Sequence, residues 1–228
     1  MRRVFAPPVI ALSLAFSLLA TPAMASAQAQ SPDTGAVISG VEISGGNLTS
    51  KESADGSVDF SFRGPSIETP DELKWEHGLE GGVYAVDSSG EFRLVVSAPE
   101  VAGNVVAWAI DGNELKVDTD RPVGSERVNA AAGISLIKSV KRGTEKRKPR
   151  YMISPTKVGR FAPSAVHATA GWNEAKRKGV NRPTQGLKEQ YVCHPMSKVA
   201  RLKSTWNIES WRPTVGLPRT LAAACNPK

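Results

Sequence analysis

From Ser57 onward the chain alternates apolar and polar residues with a period of two. Val58, Phe60 and Phe62 interleave with Ser57, Asp59 and Ser61; Phe92, Leu94 and Val96 with Glu91, Arg93 and Val95; Leu115 and Val117 with Glu114, Lys116 and Asp118. Such spacing marks strands with one buried face. Turn-forming stretches separate them at 63–66 (RGPS), 87–90 (DSSG) and 111–113 (DGN). Residues 81–86 and 104–110 complete a series of short strands, so residues 57–125 predict a small all-β domain, a sandwich or a meander. Residues 30–56, rich in Gly, Ser, Asn and Asp, read as a flexible tail leading into a first strand at 36–43.

The pattern changes after residue 126. Two apolar runs, 133–137 (GISLI) and 151–154 (YMIS), flank the basic stretch 138–150 (KSVKRGTEKRKPR). This predicts a β-hairpin with a basic loop, which also reads as an anion-binding loop or a protease site. Ser164 can cap a helix over 165–178, with Ala165, Ala168, Trp172 and Ala175 on one face. Lys176, Arg177 and Lys178 complement its dipole and Gly179 stops it. A second helix is predicted over 186–194, ended by Pro195. The fold class is therefore α+β: an N-terminal all-β domain, then a small α+β module over 126–228 of a hairpin plus two helices.

Charge divides the chain at the same place. Residues 32–125 carry 6 Lys and Arg against 17 Asp and Glu, whereas residues 126–228 carry 21 against 5. Fields this large and opposite imply halves that attract each other or act on different partners. At the N-terminus, Arg2 and Arg3 precede the apolar run VIALSLAFSLLA at 9–20, followed by Ala23-Met24-Ala25 and Ala27-Gln28-Ala29. This reads as an export signal over 1–29, too short in its apolar part to span a bilayer. The two cysteines, Cys193 and Cys225, agree with export. A lone pair in an oxidising compartment is expected to form one disulfide, which closes the basic module.

Standard catalytic motifs are absent. His77 and Glu80 form an H-x-x-E pair on a Gly-rich stretch that reads as a surface turn, and no metal or cofactor is expected. His167, Glu174, His194, Glu209 and Arg212 are the set in the basic half capable of acid–base chemistry, as in metal-free RNA cleavage; capping and packing are the competing roles for both histidines. Trp206, Trp211 and Arg212 are candidates for ligand contact by stacking and charge, with core packing as the alternative for the indoles. Lys146, Arg147, Lys148 and Arg150 are the candidate anion-binding cations.

Several ordered motifs carry a resemblance: Ala170-Gly171-Trp172-Asn173-Glu174, then Glu189-Gln190-Tyr191-Val192-Cys193-His194, then the run TWNIESWRP at 205–213, and Cys225-Asn226-Pro227. Residues 131–228 resemble the C-terminal module of exported actinobacterial proteins, the domain of unknown function 2599 family. The resemblance implies an exported protein with a paired Cys193–Cys225 bridge, and it brings no activity and no catalytic residues. Lys and Arg occupy 142–150, where an aromatic-bearing hairpin is expected. The functional expectation is a secreted, non-enzymatic protein whose basic module binds an anionic polymer or membrane surface, with nucleic acid a more remote partner. The alternatives are a secreted effector masked by contact between its acidic and basic halves, and a metal-free nuclease or other hydrolase.

Overall fold

The alternating segments pair as antiparallel strands in the computed structural model, which describes residues 35–228. The export signal expected over 1–29 lies outside the described residues. One sheet has the order β1 (Gly35–Ile38), β2 (Val41–Ser44), β5 (Ser66–Glu68), β12 (Glu114–Asp118), β11 (Ala107–Asp111). The second is built around β13 (Arg127–Gly133). On one side β13 pairs with β4 (Val58–Arg63), and β4 with β3 (Thr49–Glu52). On its other side lie β9 (Glu100–Val101), which carries β10 (Asn104–Val105), and β8 (Phe92–Val96). The sheet continues through β7 (Val83–Val86) to β6 (Lys74–His77). The stretch read as a tail thus contributes three strands. Residues 127–133, counted above with the basic module, form a central strand of the acidic half's sheet.

The two sheets close on one apolar core that includes Ile43, Phe62, Ile67, Trp108, Leu115 and Val128. The second sheet is buried on its other face as well. Leu94, Val96, Ala130 and Ala132 face the first core, whereas Val95 and Ala131, between them in sequence, belong to a second core formed by the C-terminal module. Pro32–Lys228 is accordingly one compact unit, with sheet residues of the acidic half walling the interior of the basic half.

The C-terminal module contains a third sheet, ordered β14 (Ile137–Glu145), β15 (Lys148–Pro155), β16 (Trp206–Glu209). The basic stretch is therefore a hairpin, and the aromatic tail supplies an edge strand absent from the hairpin-plus-two-helices expectation. Against it pack α1 (Ser164–Val166), a π turn at His167–Gly171, α2 (Trp172–Lys178) and α3 (Gln185–Met196), followed by α4 (Lys198–Arg201) and α5 (Leu217–Ala222). Ser164 is the first helical residue and its side chain caps nothing; Pro163 precedes it. The π turn inserts one residue into the helical phase. It leaves Ala165 exposed and buries Val166, His167, Gly171, Trp172 and Ala175. Pro195 lies inside the last turn of α3, where it forfeits the bond its own N–H would make to the Tyr191 carbonyl, and the helix ends one residue later. The Cys193–Cys225 disulfide, with Cα atoms 5.6 Å apart, ties α3 to the residues after α5. No helix among the described residues is long and apolar enough to cross a membrane.

Candidate functional site

The β14–β15 hairpin turns on Lys146 and Arg147, both left-handed, with φ of 51° and 59°. A two-residue hairpin loop with positive φ at both positions matches strand twist, and Asn-Gly is its usual sequence. Lys-Arg here costs roughly 1–2 kcal/mol per residue over a glycine. Strain of this kind persists where the surroundings over-determine it and points toward a function. Lys141, Arg142, Lys146, Arg147 and Lys148 are all exposed, and none forms an ion pair among the described residues. The half-buried Trp211 stands beside the loop, with Lys146 Nζ 5.7 Å from its ring centroid, within cation–π range.

The other candidates are held inside the fold. Arg150 pairs with Glu145 at 2.8 Å and approaches Glu209 at 3.9 Å. Arg212 pairs with Glu209 and donates to the Pro227 carbonyl at 3.2 Å, fastening the C-terminal tail. Both arginines are already paired, Arg150 chiefly with Glu145 and Arg212 with the buried Glu209, so neither is a free anion contact. Trp206 is a core residue, stacked on His194 at 5.7 Å and edge-on to His167 at 5.3 Å. It is no surface for a ligand.

The acid–base set does not converge on a cleft. His167 Nε2 lies 2.8 Å from the Gly159 carbonyl, which can only accept, so this nitrogen carries the proton. Nδ1 then accepts from the Tyr191 hydroxyl at 2.7 Å. Burial pushes the His167 imidazole down to about 4, and the Tyr191 hydroxyl well up. His194 Nδ1 donates to the Gln190 carbonyl at 2.7 Å, and burial likewise brings its imidazole to about 4. Glu174 accepts from Ser135 Oγ at 2.6 Å and Leu136 N at 2.8 Å, and meets Lys178 at 2.8 Å. Gln190 clamps α3 to β16 through both the N–H and the carbonyl of Glu209. The signature residues are thus the polar interior of the module. Glu80, read as part of a turn with His77, pairs with Arg201 at 2.7 Å and Lys198 at 3.5 Å.

One feature carries no signal in the sequence pattern. A groove of 1230 Å³ runs between the acidic sheets and the start of the helical layer, lined among others by Glu76, Tyr84, Asp87, Phe92, Val166 and Thr169. Partial burial and the Glu76 carboxylate, which accepts from the hydroxyl, raise Tyr84 to about 12. Its lining carboxylates make the groove unsuited to a polyanion. Its walls come from segments some 80 residues apart, which explains why sequence reading missed it. Among the described residues no group of three or more His, Cys, Asp or Glu is placed to hold a metal ion.

No solved structure matches this chain. Uncharacterised proteins of Mycobacterium bovis and Mycobacterium tuberculosis are 34% identical to it over 84 residues, which are 35% of this chain and 57% of each relative. The chain thus spans little more than half the length of these curated relatives. The resemblance carried by the ordered motifs holds over residues 137–228, which match the family model described as Protein of unknown function (DUF2599).

Proposed function

We propose that the protein acts outside the cytoplasm as a binding protein, and that its basic module holds an anionic polymer or surface through the β14–β15 hairpin. The observation that carries this reading is the set of five exposed hairpin cations, Lys141, Arg142, Lys146, Arg147 and Lys148, left without carboxylate partners, with Lys146 over the half-buried Trp211. Unpaired cations on a hairpin bind a polyanion chiefly by releasing its counterions. The acidic half does not compete for them. Its ion pairs to the basic half run from Asp59 to Lys157 and from Glu80 to Arg201 and Lys198. That favours surface binding over a masked effector.

The test is titration of Pro32–Lys228 with a soluble polyanion such as polyphosphate at rising salt. Five contacts at roughly 0.7 per contact give a log–log slope of about −3.5. Replacing all five cations by glutamine should abolish most of the binding. An affinity indifferent to salt, or to that replacement, would refute the reading.

A further inference from the structure

We infer that the turn around α4 is a second contact surface, fitted to the interface of an anionic phospholipid bilayer. Met196, Val199 and Leu202 recur every three residues through this segment, with 43%, 76% and 67% of their surfaces exposed. Val105 on β10, 67% exposed, lines an apolar recess of 520 Å³ together with Leu202, Val106, Ala107 and Phe161. Isolated exposed apolar residues are ordinary, but several within one short segment, with Leu202 and Val105 at the mouth of an apolar recess, mark an interaction site.

The charge around the cluster selects the occupant. Lys198, Lys203 and Arg160 stand around it, while Arg201, which is buried, is paired with Glu80. Arg160 is fixed there by donating to the carbonyls of Arg201 and Lys203. A surface with apolar tips and a net positive rim is complementary to an interface of acyl chains below and anionic headgroups above. An apolar protein partner would not require that rim, and a second copy would bring like charges together. The inference deepens the reading of the module as an anion binder by naming a lipid surface as a partner, yet it uses residues distinct from the hairpin.

The experiment is co-sedimentation of Pro32–Lys228 with vesicles of phosphatidylglycerol and phosphatidylcholine, or of phosphatidylcholine alone. This unit omits the apolar run at 9–20, which would itself associate with lipid. Binding is expected to the anionic vesicles and to be much weaker to the neutral ones. Each buried methylene is worth roughly fourfold in affinity, so Val199→Ser with Leu202→Ser should weaken vesicle binding about tenfold or more. Both side chains are exposed, so the double variant should unfold at the wild-type temperature and bind polyphosphate like wild type. Vesicle binding unchanged by the double variant but abolished by neutralising the hairpin would overturn this inference and leave the hairpin reading intact. A dimer in sedimentation velocity that the double variant dissolves would also overturn it, since the patch would then serve a second copy.

Discussion

The Tyr191 hydroxyl donates to His167 Nδ1 across 2.7 Å in an interior where both side chains are fully buried. The bond joins the π turn to α3, and Trp172 and Trp206 pack on the same tyrosine ring at 5.7 and 5.9 Å. Three of the motif residues of the C-terminal module, Trp172, Tyr191 and Trp206, therefore meet at one point around His167. They hold two helical segments and an edge strand together, and they leave the surface free to vary.

The buried histidines make stability depend on pH. Both are neutral in the fold, because burial lowers them from 6.5 to about 4. As pH falls through 6.5 the unfolded chain takes up protons that the folded chain refuses. The histidines' contribution is therefore full above pH 6.5, declines toward pH 4 and levels below it. The full shift amounts to about 3 kcal/mol per histidine. Thermal unfolding of Pro32–Lys228 should show a lower Tm at pH 4.5 than at pH 7. His194→Gln should flatten that dependence even if it lowers the Tm at pH 7. An equal slope in the variant would contradict the assignment.

Gly171 makes room for the same bond. A Cβ at this position would lie 2.6 Å from Tyr191 Oη and 2.9 Å from His167 Nδ1. Its backbone is ordinary helix, with φ of −63°, where alanine is intrinsically favoured over glycine by about 1 kcal/mol. Gly171→Ala should nonetheless destabilise, by about 1–3 kcal/mol through overpacking. Tyr191→Phe should cost about 1–2 kcal/mol through the lost hydrogen bond. Because the phenylalanine removes the nearest clash, the double variant should be less destabilised than the two costs together. Additive losses in denaturant melts would show that the close approach is not the cause.

The hairpin should trade stability for binding. Replacing Lys146 by Asn and Arg147 by Gly supplies the residues a left-handed two-residue turn favours, and should raise stability by about 1–2 kcal/mol. The same change removes two unpaired cations and the Lys146 contact with Trp211. Polyanion affinity should fall and its salt slope should lose about 1.4, at roughly 0.7 per contact. A variant both more stable and equally tight in binding would separate the turn from the function proposed for it.

What the sequence made legible follows from where each residue packs. Phe60 and Phe62 of β4 and Leu115 and Val117 of β12 face one core, so alternation marked them. β13 lay hidden because Ala130 and Ala132 face one core and Ala131 the other, and a strand buried on both faces does not alternate. The basic hairpin was visible in charge and flanking apolar runs. The approach of Arg150 and Arg212 to Glu209 was not, since it depends on β15 and β16 pairing in a register that sets Arg150 opposite Glu209. The π turn left no compositional trace, and its extra residue moved Ala165 to the surface.

The burial of the second sheet on both faces bears on separability. Opposite charges suggested two modules restraining each other, and ion pairs do join the halves at Asp59–Lys157 and Glu80–Arg201. Apolar burial joins them more strongly: Val95 and Ala131 are fully buried in the interior of the C-terminal module, with Tyr84 and Phe92 packed against it. Cutting at residue 134 would strip that wall from the second core, to which Leu136, Val158 and Val166 belong. Losing even two or three such contacts costs several kcal/mol, comparable with the whole stability of a small domain. Residues 134–228 alone, with the disulfide intact, should therefore bind a hydrophobic dye and unfold without a cooperative transition, whereas Pro32–Lys228 should melt in one step. A fragment that melts cooperatively, with protected amides in α3 and β15, would show the C-terminal module to be self-sufficient and the acidic sheets to be only its neighbour.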